Sequence, residues 1–485
     1  MSASVRRMPR RTITIATLGT TVAMMSYTAP LGALPTIARD LGASPSAQSW
    51  ILSAMSLGFT TALLTSGSLG DDYGRRRVFV AGAVAIALAS VVGAVAPGPA
   101  LFVLGRLLQG TGAAALIACS LALISHVVPP GPVRATASGV WGAGLAAGIG
   151  LGPLLAVTLP WRIAYAVIAL AGLAVAVAAV CGVAESRAGR RKRLDAPGIV
   201  LLAGGLALFL AGLTESRQGL DSLPMALMVV GVVLLAGFLV VQSRSASPMM
   251  PLALFHNPAL LAASVGALGA GLGIISVVSY LSTLGQRALG LSPMEAAWVL
   301  FAWPAVSIVT SLLTKRLPES VSGAVRLVGG MVVIALGMAL LLRLSTTTSP
   351  LRLVLALVVA GIGTGVVNAT LGREAVASVP AALAGVGSGI NNTSRYFGAA
   401  IGVTVVAVLT SRTGTESPPQ LLHNWDHALL VALALTVICV VIVAVCESFQ
   451  RRAPAAVNPP TASGKVAARA TDMPDARGLP VSRDG

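Results

Sequence analysis

The eleven residues from Gly67 to Arg77, GSLGDDYGRRR, place two acids and three arginines between two long apolar runs. Carboxylates and guanidinium groups at this spacing form hydrogen-bonded ion pairs, and a carboxylate beside a helix N-terminus is stabilised by roughly 0.3–1 kcal/mol. Such contacts can break and re-form when neighbouring helices move. The stretch therefore suits a reversible contact between helices, while a short hairpin with anchoring arginines is the simpler interpretation.

A second charged group lies inside an apolar run, in the stretch LGRLLQGTGAA. Its polar and small residues follow the spacing i, i+3, i+4 and i+7, which places on one helix face Arg106, Gln109, Gly110 and Ala113. A charge in the middle of a membrane span is costly, so by default it faces the protein interior and has a function. The alternative is a snorkelling arginine, which the apolar residues on both sides of Arg106 disfavour.

Carboxylates that could carry a proton through a membrane are scarce. No Asp or Glu occurs between Asp72 and Glu185, so the first and fourth apolar runs supply no mid-membrane acid. The candidates that remain are Glu215 and Glu295, near the ends of two later runs, together with the loop acids Asp71 and Asp72. For Glu215 and Glu295 a solvated helix end is an equal alternative.

Other residue types that often carry chemistry form no site in the sequence. The four cysteines all lie in apolar runs without a C-x-x-C pair, and His423 and His427 stand alone at one interface, so we expect no metal or other cofactor. No G-x-x-x-x-G-K-[ST] loop occurs, which argues against ATP hydrolysis by the chain itself. A membrane hydrolase or acyltransferase would need clustered His, Asp or Ser at a membrane face, and the four histidines are scattered. We therefore expect no enzyme, and a membrane receptor remains an alternative.

The composition defines the elements that must position these groups. Of 485 residues, 55% are hydrophobic and 10% charged, and the mean hydropathy is +0.87, whereas a soluble domain has about 25% charged residues. Long apolar runs such as LAGLAVAVAAVCGV fit membrane helices of about 20 residues, whereas a membrane β-barrel would show alternating segments of roughly 10 residues. The sequence predicts an all-α polytopic membrane protein.

Apolar windows predict fourteen transmembrane helices. Their approximate spans are 13–37, 47–69, 78–96, 100–124, 135–157, 163–184, 197–214, 223–242, 259–284, 293–314, 324–344, 351–370, 384–409 and 428–447. Outside them we expect a cytoplasmic N-terminus (1–12), a basic cytoplasmic loop (185–196) that acts as a hinge, and a disordered cytoplasmic tail (448–485).

The arginines and lysines give these spans an orientation. The net charge is +17, and with a cytoplasmic N-terminus 24 of the 33 basic residues fall inside and 7 outside. This asymmetry follows the positive-inside rule and places both termini in the cytoplasm. The basic residues lie in short loops and no nucleic-acid motif accompanies them, so we expect a lipid bilayer as partner and no nucleic acid.

The charged stretch resembles the signature loop between the second and third helices of the major facilitator superfamily. The pattern G-x-L-x-D-R-x-G-R-R is matched at Gly67, Leu69, Asp71, Gly74, Arg75 and Arg76. In that family the acid of the loop contacts the cytoplasmic ends of neighbouring helices and steadies one state of alternating access. Asp72 stands where the family has arginine, so either Asp72 pairs with Arg75 or Arg76, or the gating contact is altered.

Two more motifs resemble those of the same family. They comprise, in the fourth span, Arg106, Gln109 and Gly110 and, in the fifth span, Gly148, Gly152 and Pro153. The fourth-helix arginine of the family is linked to proton coupling, and a bent fifth helix marks its antiporters as against symporters and uniporters. Small residues four apart also let helices approach closely. The Gly-Gly that usually follows in the fifth helix is Leu155-Ala156 here.

Later stretches, WRIAYAVIA, LGLSPMEAAWVLFAWP and GVGSGINNTSRYFGAAIG, resemble the fourteen-helix drug:proton antiporter branch. The resemblance implies two six-helix bundles (13–184 and 259–447) with two inserted helices (197–242) and a substrate site near the bilayer midplane. It also implies a monomeric, bacterial plasma-membrane exporter of an antibiotic or drug, driven by protons. Self-resistance exporters of the cephamycin, β-lactam type are similar. A metabolite uniporter or symporter of the same fold is the alternative.

The charge of the transported compound can also be predicted. Ser26 occupies the position where the branch often carries a helix-1 aspartate, so no buried acid is expected there to neutralise a cation. Arg395 instead lies within a span beside Asn391 and Asn392, and we expect these four residues in the substrate cavity. The pattern favours an anionic, zwitterionic or neutral amphipathic compound.

Overall fold

Fourteen helices run through the part of the chain that the computed structural model describes, namely residues 3–187, 195–216, 219, 221–245, 248–318, 320–410 and 416–452. They are α1 (Ala3–Leu41), α2 (Pro45–Tyr73), α3 (Arg75–Val95), α4 (Pro99–Val127), α5 (Pro132–Thr158), α6 (Trp161–Gly182), α7 (Ala196–Glu215), α8 (Ser222–Arg244), α9 (Pro258–Ala288), α10 (Pro293–Leu313), α11 (Gly323–Ala339), α12 (Pro350–Ala377), α13 (Ala384–Thr410) and α14 (Pro418–Arg452). A π-helical turn, Gly271–Ile275, interrupts α9.

Proline and short polar caps define where many of these helices begin. Proline starts a helix without losing a hydrogen bond, because the first N–H groups of a helix have no partner in it. It opens α2, α4, α5, α9, α10 and α12. The side chains of Ser44, Asn257, Ser292 and Ser349 accept a backbone N–H at four of these starts. Local sequence therefore sets the boundaries.

Each predicted span corresponds to one helix, with differences at the ends. Helix α1 begins at Ala3 rather than 13, and α14 continues to Arg452, so residues 3–12 of the predicted N-terminal segment and the first five residues of the predicted tail are helical. Most of the basic loop (188–194) and the rest of the tail (453–485) lie outside the described residues. Twelve helices in the described part are long and apolar enough to cross a membrane. The twelve omit α11, with 17 residues, and α1, which is rich in threonine.

The helices form two bundles with separate apolar cores. Helices α1–α6 enclose one core, which includes Phe59, Phe79 and Phe102, and α9–α14 enclose the other, which includes Met331, Leu357 and Trp425. Helices α7 and α8 pack against each other, and α7 contacts α2 of the first bundle and α13 of the second. The predicted inserted pair therefore lies beside the junction of the bundles.

The two bundles meet along α5 against α10 and α12, and along α2 and α4 against α13. Glycine makes close approach possible at these junctions, since it has no β-carbon. On α5, a β-carbon at Gly142 would lie 2.5 Å from Ser311 Oγ, and Ser311 Oγ donates to Gly139 O at 3.0 Å. Helix α5 thus connects the bundles directly.

Candidate functional site

Asp71 links the end of α2 to the start of α13. Its two carboxylate oxygens accept hydrogen bonds from the backbone N–H groups of Gly385 and Val386, each at 3.1 Å. The carboxyl is 2% exposed. The unpaired N–H groups at a helix N-terminus and the helix dipole both stabilise an anion, so a buried carboxylate is held at this position. The acid of the predicted loop therefore contacts the second bundle.

Arg75 completes this contact. Its guanidinium forms an ion pair with Asp71 at 2.7 Å and donates to Ala381 O at 3.0 Å and to Ala122 O at 3.4 Å. Both side chains are nearly fully buried, so removal of one partner leaves an uncompensated charge. We call Asp71, Arg75, Ala381, Gly385 and Val386 the latch, and the end of the protein that carries it the latch end.

The remaining loop arginines contact an acid that the sequence analysis did not identify. Glu185, just after α6, accepts the backbone N–H of Arg76 at 3.1 Å and lies 3.8 and 3.6 Å from the Arg76 and Arg77 side chains. These pairs are partly exposed, so each contributes little to stability. Gly74, with φ of 121°, makes the sharp turn between α2 and α3. Asp72 lies half-buried on α2, while Arg75 pairs with Asp71.

Leu69 is half-buried and Gly67 packs against α13. The predicted loop residues are thus brought together at one end of the protein. The sequence could have indicated Glu185 as a partner of the loop arginines, because it is the first acid after Asp72 and directly follows the sixth apolar run.

Arg106 lies at the junction of α1, α2 and α4, where it is 1% exposed. Its guanidinium donates to Ser26 O (2.5 Å), Tyr27 O (3.0 Å) and Ile51 O (3.3 Å). Pro30 explains one of these bonds, since a helical carbonyl normally accepts from the N–H four residues later and proline has none. Pro30 thereby frees Ser26 O for Arg106.

Gln109 and Gly110 support this junction from the same helix. Gln109 Oε1 accepts from Arg106 Nη1 at 3.0 Å, and its Nε2 donates to Ser90 Oγ at 2.8 Å. A β-carbon at Gly110 would overlap the backbone of α2 at Met55. The predicted fourth-helix face is therefore interior, and its arginine holds α1 and α2 rather than facing lipid.

A central cavity of about 840 Å³ lies between the bundles. Helices α1 and α5 form one wall, and α9, α10, α12 and α13 form the other. The walls are mostly apolar and aromatic, with Tyr27, Phe301, Trp303 and Tyr396, and the described lining contains no Asp or Glu. The π-helical turn of α9 also borders it, a feature that is frequent at functional sites.

Arg395 is the charged residue of the described cavity lining. Its Nη1 donates to Asn368 Oδ1 at 3.0 Å. Of the four residues predicted for the substrate cavity, Arg395 lies in this lining, whereas Ser26, Asn391 and Asn392 lie outside it. Both asparagine amides donate to backbone carbonyls instead, and Ser26 contributes its carbonyl to Arg106.

The cavity also contains polar residues that the sequence analysis missed. Thr364 and Asn368 line it from α12, and Trp303 Nε1 donates to Thr364 Oγ1 at 2.9 Å. Asn368 had a readable signal, because a polar amide inside an otherwise apolar span usually faces the protein interior.

The three predicted fifth-helix residues divide between packing and the cavity. Gly148 and Gly152 face α1, where β-carbons would overlap Thr21 and Thr28 respectively, so close approach of these helices depends on them. Pro153 lines the central cavity.

The two predicted proton-carrying acids lie apart from the central cavity. Glu215, half-buried at the end of α7, accepts from Trp50 Nε1 of α2 at 2.6 Å. Glu295 is exposed and completes a capping box with Ser292 at the start of α10. A second cavity of about 730 Å³ is lined by residues of α2, α7 and α13, among them Thr214, the residue before Glu215.

Two bundles of apolar helices enclose a cavity, and a buried ion pair of the first bundle is hydrogen-bonded at one end to the backbone of the second. This arrangement is that of a multi-pass membrane transporter. The chain belongs to the major facilitator superfamily, whose family model matches residues 16–403. It is therefore a transporter and not an enzyme.

Relatives from bacteria share about a third of the sequence. The puromycin resistance protein of Streptomyces alboniger is 33% identical over 427 residues, which is 84% of each chain. The cephamycin export protein of Amycolatopsis lactamdurans is 31% identical over 436 residues, or 88% of this chain and 90% of the relative.

Solved structures share the fold. The human organic anion transporter MFSD10 matches with a TM-score of 0.66 and 17% identity, over 90% of this chain and 99% of that one. The proton:xylose symporter XylE matches with a TM-score of 0.64 and 14% identity, over 90% and 95%.

Proposed function

We propose that this chain is a proton-driven exporter of an amphipathic antibiotic or drug in the plasma membrane, which works by alternating access as a monomer and gives resistance to that compound. The observation that carries the proposal is the latch. Asp71 and Arg75 join the first bundle to Gly385, Val386 and Ala381 of the second by hydrogen bonds that can separate when the bundles rock. A polar contact that can break and re-form suits two bundles that move relative to each other.

The basic residues support an orientation for this movement. The positive-inside asymmetry places the latch end, with Arg75, Arg76 and Arg77, in the cytoplasm, together with both termini of a fourteen-span chain. In this orientation the bundles meet on the cytoplasmic side, so a bound compound would leave to the outside. The latch would have to open before the cavity could face the cytoplasm again.

The cavity and the relatives support the proposed class of exported compound. Apolar and aromatic walls with a few placed polar groups fit an amphipathic molecule. Relatives that match most of this chain are named for puromycin resistance and cephamycin export. The absence of an acid from the described lining supports an anionic, zwitterionic or neutral compound over a dication.

Proton coupling is proposed to involve the Arg106 junction and an acid outside the cavity. Arg106, which Gln109 supports, connects α4 to α1, and α1 borders the cavity, so a change at this junction reaches the substrate. Of the two predicted acids, Glu215 is the better candidate because Glu295 is exposed and engaged in helix capping.

Uptake into inverted membrane vesicles tests the proposal. Vesicles with the protein should accumulate a labelled cephalosporin when their interior is acidic, and dissipating the pH gradient should stop accumulation. Vesicles with the Arg106→Ala variant, at matched protein content, should not accumulate the cephalosporin. Uptake that persists without the gradient would indicate a uniporter, and binding without uptake would indicate a receptor.

A further inference from the structure

The guanidinium of Arg395 is buried without full hydrogen bonding. Arg395 is 2% exposed, Nη1 donates to Asn368, and Nε and Nη2 have no hydrogen-bond partner among the residues that the structure describes. It borders the central cavity, whose described lining contains no carboxylate.

Arg106 provides a comparison within the same protein. It is equally buried, but its Nε, Nη1 and Nη2 all donate to backbone carbonyls or to Gln109. All three guanidinium nitrogens of Arg106 are therefore hydrogen-bonded within the protein, whereas two nitrogens of Arg395, Nε and Nη2, have no partner in the described residues. A buried cation with unused donors is unfavourable unless a partner supplies charge and acceptors.

The chemistry of the free donors identifies that partner. Nε and Nη2 lie side by side on the planar guanidinium and match the two oxygens of a carboxylate. Asn368 holds the opposite side of the group through Nη1, which fixes its orientation. The neighbouring walls, with Tyr396, Phe301 and Trp303, offer apolar surface for the remainder of the molecule.

We propose that Arg395 binds a carboxylate of the transported compound through Nε and Nη2, with Asn368 as the residue that positions the guanidinium. The inference rests on the proposed export function and narrows its substrate class to amphipathic organic anions, including zwitterions with a free carboxylate. The compound neutralises the buried arginine, so the loaded cavity contains a paired charge. A neutral analogue leaves the guanidinium unpaired and binds more weakly.

Binding of 1-pyrenebutyrate and its neutral amide, 1-pyrenebutyramide, to the full chain in lipid nanodiscs tests this. The two probes share the aromatic part and differ in charge, and energy transfer from tryptophan to pyrene reports binding. The wild type should prefer the carboxylate by about tenfold or more, since a site built to bind a polar group rejects analogues that lack it. Arg395→Gln should bind both probes alike, and Arg395→Lys should lose most of the preference.

Arg352→Gln is the matched control, because Arg352 lies at the exposed start of α12 and bonds only to carbonyls of the chain before it. It should keep the preference. If Arg395→Gln does not fold, Arg395→Lys replaces it in the test, because lysine retains the charge but lacks the planar pair of N–H donors. Equal binding of the two probes by the wild type, or an undiminished preference in both Arg395 variants, would overturn the site.

Vesicle uptake of a labelled cephalosporin, which carries a carboxylate, separates this inference from the proposed function. Gradient-driven cephalosporin uptake alongside equal binding of the two probes would keep the exporter and remove the carboxylate site. A carboxylate preference without gradient-driven uptake would keep the carboxylate site and remove the proton-driven exporter.

Discussion

Gly67 of α2 and Gly385 of α13 lie backbone against backbone, and a β-carbon on either would overlap the carbonyl oxygen of the other. The next contact along the same junction is the bond from the Gly385 N–H to Asp71. The glycine pair therefore sets the separation at which the latch can form. The first position of the family loop pattern is a packing requirement of the closed state.

Gly67→Ala should shift the protein away from the state that is closed at the latch end. Overpacking typically costs about 1–3 kcal/mol, which corresponds to a change of roughly 5- to 150-fold in the ratio of closed to open protein. Distances between spin labels at positions 133 and 382, exposed sites in the two bundles, would report the opening.

Gly329→Ala is the control for this variant. Gly329 lies in α11, and a β-carbon added there would have no neighbouring atom within 4 Å, so alanine should leave the label distances unchanged. A Gly67→Ala distance distribution identical to that of the wild type would show that the glycine contact does not select the state.

Asp71→Asn should destabilise the closed state more than removal of both charges does. Asparagine can still accept one N–H of α13, but Arg75 is left as a buried unpaired cation, and breaking a buried pair in this way costs about 3–5 kcal/mol. The double variant Asp71→Asn, Arg75→Gln removes that penalty. Thermal unfolding and drug-protection assays of the wild type, Asp71→Asn, Arg75→Gln and the double variant would measure the coupling between Asp71 and Arg75. Strictly additive effects of the two substitutions would refute it.

Pro30→Ala should weaken the Arg106 junction although it removes a proline from a helix. Alanine restores the N–H that bonds Ser26 O within α1, so Arg106 Nη1 loses its shortest acceptor. A hydrogen bond to a charged group contributes about 1.5–3 kcal/mol, and we expect reduced export with unchanged or raised thermal stability.

Pro35→Ala is the control. Pro35 leaves Leu31 O without its helical N–H, and this carbonyl is not one of the acceptors to which Arg106 donates. It should export normally. Equal export by Pro30→Ala and the wild type would show that Arg106 does not depend on the proline-freed carbonyl.

The positions of the helices could be predicted because apolar runs, proline starts and short polar caps are local signals. The latch could be predicted only in part. The loop pattern identified Asp71, but its partner Gly385 is 314 residues away, and no local signal specifies which helix start the acid reaches. The family resemblance supplied the expectation of a neighbouring helix, and the packing of α2 on α13 identified it.

The cavity was predicted least well, because helix rotation decides which polar residues reach it. Asn391 and Asn392 lie one turn before Arg395 and share its side of α13, yet their short amides bond to nearby carbonyls. The longer arginine side chain extends to the cavity. The sequence marks Asn368 as an interior residue of its span, but its bond to Arg395 on another helix becomes visible only in the structure.

Glu215→Gln should stop proton-driven export without loss of stability. Glutamine can still accept the Trp50 N–H, so the contact between α2 and α7 is retained, but it cannot bind and release a proton. Glu295→Gln is the matched control, because glutamine also forms a capping box and the side chain is exposed. We expect gradient-driven uptake in vesicles to fall to background for Glu215→Gln and to stay near wild type for Glu295→Gln, with equal melting temperatures. Normal uptake by Glu215→Gln would assign Glu215 to helix packing and move the proton-carrying role to the loop acids.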